Sequence, residues 1–140
     1  MARILGIDYG TKRIGLAHTD QEQLICSPLD TVSSSEIFNY LTDYFLKEPV
    51  ESIVVGEPKT LSNEPAKISE KIKKFVIKLD KLFQKPIHMV DERFTSKMAI
   101  KTMVSLKVKK KNRRDKKNID KISAALILQS YLDRKKRNLI

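Results

Sequence analysis

Apolar residues along this chain recur in two rhythms, and the changes of rhythm mark its elements. Residues 3–8, "RILGID", form a short apolar run closed by Asp8, and residues 13–20, "RIGLAHTD", form a second beyond the turn through Gly10 and Thr11. Runs of this kind bounded by turn residues predict strands. Residues 23–32, "QLICSPLDTV", predict a third, with Pro28 near its middle. Proline donates no hydrogen bond to a neighbour, so this strand belongs at a sheet edge. Three strands joined by short links predict an antiparallel meander.

The rhythm then becomes helical. In "EIFNYLTDYFLKE" the residues Ile37, Tyr40, Leu41, Tyr44 and Phe45 fall on one face, with Ser33, Ser34 or Ser35 available as a cap and Pro49 as the stop. A buried strand follows at 51–56, "ESIVVG". An amphipathic helix through Ile68, Ile72, Phe75, Val76, Leu79, Leu82 and Phe83 ends before Pro86, and "PIHMV" is the fifth strand. Residues 95–105 read as helical, and "NIDKISAALILQSYLD", 118–133, as the final helix. Right-handed crossovers make strands four and five parallel to strand one and place them on its other side from the meander. The expected fold is α/β, a five-stranded mixed sheet with a central first strand and flanking helices, in one domain spanning residues 1–140.

In such sheets the site lies beyond the carboxyl ends of the parallel strands. Asp8 closes strand one, Glu57 follows strand four, and Asp91 and Glu92 close strand five, so these acids share an edge. Glu57 stays open between a loop residue and a fourth acid of the site. Asp120, in the first turn of the final helix, serves equally as a dipole or capping residue there and as a further acid of the edge. Acids that converge without matched bases make a poor salt bridge and a good site for a hard divalent cation, Mg²⁺ or Mn²⁺. A pair of such ions supports phosphodiester hydrolysis. Lys12 and Arg13 in the first turn suit phosphate contact. Arg93 suits either a phosphate clamp or neutralisation of Asp91.

Charge sharpens the reading. Of 28 lysines and arginines, eight lie in residues 107–117, "KVKKKNRRDKK", and four in 134–137, "RKKR"; the rest of the chain balances 16 bases with 16 acids. The formal excess of +11 is therefore confined to two patches, as a polyanion-binding protein would have it. Lys109, Lys110, Lys111, Arg113 and Arg114 are the candidate nucleic-acid contacts. Cys26 is the sole cysteine, which excludes an internal disulfide and a cysteine-based zinc site. The N-terminal residues lack the apolar stretch of a signal peptide, and no run reaches the roughly 18 to 20 apolar residues of a membrane span, so a soluble cytoplasmic protein is expected.

Four blocks in order, "GIDYGTKRIGLA", "IVVGEPK", "VDERFTS" and "IDKISAALILQSYLD", resemble the YqgF family across nearly the whole chain. The resemblance implies a ribonuclease-H-like fold related to Holliday-junction resolvases and a nuclease acting on the 5′ end of pre-16S ribosomal RNA. It also implies an acidic trio of Asp8, Glu92 and Asp120 supported by Asp91. The alternatives are a Holliday-junction DNA resolvase and a non-catalytic RNA-binding assembly factor. The second would have no use for bare carboxylates beside a polyanion. Actin-like and sugar-kinase ATPases share the first block, but they need two lobes around a cleft, and 140 residues supply one.

Overall fold

A computed structural model describes residues 2–57, 69–91 and 116–136. Its strands are β1 (Arg3–Asp8), β2 (Arg13–Thr19), β3 (Cys26–Ser33), β4 (Val50–Glu57) and β5 (Ile87–Asp91), and its helices are α1 (Ile37–Lys47), α2 (Ser69–Phe83) and α3 (Lys116–Lys136). The expected helix at 95–105 lies outside the described residues.

The sheet runs β3-β2-β1-β4-β5. β2 is antiparallel to β1 and to β3, whereas β4 is parallel to β1 and to β5. The fold is thus the expected one, with β1 at the centre. Its residues 4–7 are all buried, because helices cover both faces of the sheet. On one face Leu5, Ile7, Ile14 and Leu16 pack with Ile37, Leu41 and Tyr44 of α1 and Ile72, Phe75 and Leu79 of α2. On the other, Ile4, Ala17, Val54 and Val90 meet Ala124, Ile127, Leu128, Tyr131 and Leu132 of α3. Alternation along each strand divides these sets, as a period of two requires.

Pro28 does lie in an edge strand. It stands beside an irregularity where Leu16 pairs with Asp30 but Ala17 pairs with Pro28, so Leu29 is the extra residue of a bulge. Capping of α1 differs from expectation. Its N-cap is Glu36, with no side-chain cap bond. Ser34 instead ties two loops together: its hydroxyl donates to the Thr11 carbonyl at 2.6 Å and its backbone N–H to the Lys12 carbonyl at 3.0 Å. The serine that a helix start would have used fixes the turn between β1 and β2.

At the far end of the sheet a polar cluster closes the core. Arg3 donates to Glu48 at 3.0 Å and to the Thr19 carbonyl at 2.8 Å, and His18 Nδ1 lies 2.7 Å from the Tyr44 hydroxyl. Burial, with Arg3 nearby, lowers the pKa of His18, and burial pushes the Tyr44 hydroxyl up to about 12. No helix among the described residues is long and apolar enough to cross a membrane.

Candidate active site

Three parallel strands end together. Asp8 closes β1, while Glu57 and Asp91, partners in the β4–β5 register, close their strands beside it. Pairing with β5 carries β4 through Glu57, so that residue belongs to the strand rather than to the loop after it. The turn leading away from Asp8 is tight. A Cβ on Gly10 would overlap the Arg13 carbonyl, so only glycine lets the backbone fold back so closely. Thr11 and Lys12 at the tip are exposed.

The chain brings in a second acid from far along the sequence. Asp8 pairs across the strands with Gly15, and antiparallel partners of this kind have Cα atoms about 4.5 to 5.5 Å apart. The space where Gly15 would carry a Cβ is taken by the backbone carbonyl of Asp120, with the Lys121 nitrogen 3.0 Å away. α3 starts at Lys116, so Asp120 lies in its second turn and not, as expected, in its first, and it is this second turn that rests on the cross-strand neighbour of Asp8. Both acids are half-buried. Glycine inside a strand signals close backbone approach, and that was the available clue to a contact that periodicity does not reveal.

Arg13 completes the arrangement in a way the sequence reading did not anticipate. Its Nε donates to Asp120 Oδ2 at 2.8 Å, with 35% of the arginine side chain and 24% of the aspartate side chain exposed. Asp120 thus has a matched base, and Arg13, expected at phosphate, is held by the acid in this structure. Arg13, Gly15 and Ala17 alternate on the α3 side of β2, so the pairing follows from strand parity once α3 is in place.

The described acids fit a hard divalent cation in chemistry. Asp8 and Asp120 are carboxylates whose backbones meet at a residue without a side chain, at the edge where ligands bind in open α/β sheets. Among the described residues no three metal-binding side chains gather into one cluster. Glu92 and Arg93 lie outside those residues, as do Lys109, Lys110, Lys111, Arg113 and Arg114. Lys116 and Lys117 open α3, and Arg134 and Lys135 stand exposed in its last turns, where cations complement the helix dipole.

A five-stranded mixed sheet in this order, with helices on both faces, is the ribonuclease-H-like fold. T. thermophilus RuvC in complex with Holliday junction substrate superposes with a TM-score of 0.59 at 16% identity, over 96% of each chain. Fowlpox virus resolvase with Holliday junction DNA gives 0.58 at 13% identity, over 94% of this chain and 97% of the other. At such identities the likeness is one of fold.

Residues 2–134 match the RuvX family, described as Holliday junction resolvase, and the chain belongs to that family, also called YqgF. Relatives bearing the name "Putative pre-16S rRNA nuclease" are similar along their whole length. That of Flavobacterium psychrophilum is 50% identical over 96% of this chain and 99% of its own, and that of Bacteroides thetaiotaomicron 47% identical over 97% and 99%.

Proposed function

We propose that this protein is a divalent-metal-dependent nuclease, a single domain that hydrolyses phosphodiester bonds in the 5′ processing of pre-16S rRNA in the cytoplasm. The observation that carries the reading is the meeting of Asp8 and Asp120 around Gly15, in a chain of this family. Two acids drawn from distant parts of the sequence to one sheet edge supply the oxygen ligands that a hard divalent cation prefers.

Asp8, Glu92 and Asp120 would hold Mg²⁺ or Mn²⁺, with Asp91 in support. When bound there, the cation supplies charge stabilisation and an acidified water. The chain's own residues do the rest. β1 and α3 fix the two carboxylates on rigid elements, and the turn tied down by Ser34 presents Lys12 to the phosphate backbone. Arg13 neutralises Asp120 before nucleic acid arrives and is within reach of the same phosphate afterwards. Arg93 and the basic residues 109–114 extend the contact along the strand.

The test is cleavage of pre-16S rRNA fragments with Mn²⁺ by wild type, Asp8→Asn and Asp120→Asn. Asparagine keeps the shape of each side chain and removes its charge. Turnover is expected to fall by orders of magnitude in both variants, with the metal-free stability changed by no more than about 1 kcal/mol, the size of the partly exposed Arg13–Asp120 pair that the second variant weakens. Wild-type turnover in either variant removes that acid from the site. The family description favours a second substrate, the four-way DNA junction; preferential cutting of junctions over pre-rRNA in the same assay would establish it.

A further inference from the structure

The part of the chain that is neutral in sum is divided in charge. Residues 14–57 carry eight acids and one base, Lys47, whereas residues 69–85 carry six lysines and two acids. Five of those lysines are on α2, and four of the five share one side of it. Lys71, Lys74, Lys78 and Lys81 recur at intervals of three, four and three, which keeps them within about 80° of the helix circumference over about 15 Å of its length. The opposite side, with Ile72, Phe75 and Leu79, is buried in the core. All four lysines are exposed, and none forms an ion pair with an acid among the described residues. Like charges three and four residues apart destabilise a helix, so this stripe is unfavourable to α2 on its own account.

Neighbouring groups do not cancel its charge. α2 meets α1 through the ring pairs Phe38–Phe75 and Phe45–Phe83, with centroids 5.5 and 4.7 Å apart. Asp43, the acid within α1, is about 140° round that helix from Phe38. On α2 itself, Glu70 is in the first turn, where an acid complements the dipole, and Asp80 stands about 100° from Lys81. The Lys78 ammonium lies 4.3 Å from the centre of the Phe38 ring, which gives that lysine a use in the fold. Position gives the others one. A helix that joins two parallel strands runs back from their carboxyl edge, so α2 starts at the edge where Asp8, Glu57 and Asp91 end. Tyr9, the residue after Asp8, packs on Phe75 with ring centroids 4.8 Å apart. The stripe thus begins with Lys71 and Lys74 beside the acid edge and ends with Lys81 toward the other end of the sheet. Ile77 and Leu82, the exposed apolar residues of α2, stand on its two flanks about 140° apart, so the helix offers no continuous apolar face to a lipid surface.

We infer that Lys71, Lys74 and Lys81 bind the phosphate backbone of the RNA substrate where it leaves the acid edge, so that a strand held at the site continues along α2 for about 15 Å. This contact is separate in sequence from residues 109–114 and lies on the sheet face opposite α3. The inference rests on the reading of the protein as an RNA nuclease.

The experiment is fluorescence anisotropy of a labelled single-stranded pre-16S rRNA fragment with the full chain, without metal and at several salt concentrations. It compares wild type, the triple variant Lys71→Gln, Lys74→Gln, Lys81→Gln, and Lys47→Gln as a control for charge alone, with melting of each protein. The triple variant is expected to melt with wild type and to lose about 2 from the logarithmic salt slope, three contacts at about 0.7 each, while Lys47→Gln keeps the wild-type slope. A wild-type slope in the triple variant overturns the role of α2 and leaves the nuclease reading standing. Absence of salt-dependent binding by wild type overturns both. A fall in Lys47→Gln equal to that for each stripe lysine makes the effect one of net charge and overturns the inference, as does a fall accompanied by a lower melting temperature. Loss of binding to phosphatidylserine vesicles with the RNA slope unchanged assigns the stripe to a membrane and overturns it as well.

Discussion

Arg13 is held by Asp120, and under the proposed function it would serve a phosphate as well. The pair with Asp120 is partly exposed, so its contribution to stability is of the size measured for surface pairs, about 0.2 to 1 kcal/mol. Under the proposed function its larger effect would be on the charge offered to a cation. Arg13→Gln is expected to leave urea stability within about 1 kcal/mol and to tighten Mn²⁺ binding while slowing cleavage; weaker Mn²⁺ binding in the variant would show that Arg13 supports the ligand instead of competing with the ion. At the other end of the sheet, His18 carries a pH dependence of known sign. Its folded pKa is lowered, chiefly by burial and then by Arg3, with Glu48 opposing. The unfolded chain therefore binds that proton more readily. Its stabilising contribution is complete above about pH 6.5 and declines as the pH falls from there toward the folded value. Melting temperatures across pH 5 to 8 should show this decline in wild type and lose it in His18→Gln, which keeps a partner for the Tyr44 hydroxyl.

Among the elements, α3 is placed by glycine. A methyl group at Gly15 meets the backbone of Asp120 and Lys121, which cannot turn aside as a side chain can. Gly15→Ala should cost about 1 to 3 kcal/mol in denaturant unfolding, the usual range for overpacking, and should impair metal-dependent cleavage by displacing Asp120. Gly6→Ala, whose nearest neighbours are the Leu128 Cβ at 2.9 Å and the Ala124 carbonyl at 3.0 Å, should leave cleavage nearer wild type. The strand order was legible because short turns force antiparallel neighbours and right-handed crossovers leave one placement for β4 and β5. Pro28 located the edge for an equally local reason. What sequence could not supply was the angle at which α3 crosses the sheet, since its apolar stripe fits several. The Arg13–Asp120 pair depends on that angle. Ser34 was misread because a serine before a helix has two backbone partners within reach, and the loop won over the cap.

For the whole molecule, charge and chemistry are separable. Replacing Lys109, Lys110, Lys111, Arg113 and Arg114 by glutamine should weaken nucleic-acid binding alike across sequences and flatten its salt dependence, because each phosphate contact contributes about 0.9 to the logarithmic slope on duplex DNA and about 0.7 on single strands. Fluorescence anisotropy at several salt concentrations measures this, and an unchanged slope would return the segment to solvated surface. The path of the chain adds a consequence in time. Arg13 and Asp120 are 107 residues apart, so at about 5 to 20 residues per second a ribosome needs roughly 5 to 20 s to make the second after the first. Throughout that interval one face of the sheet lacks its helix and the central acid lacks its counterpart. Under the proposed function, the two acids of the site come together only after α3 has been made, so the nascent chain has no assembled site while β1 and β2 wait for it.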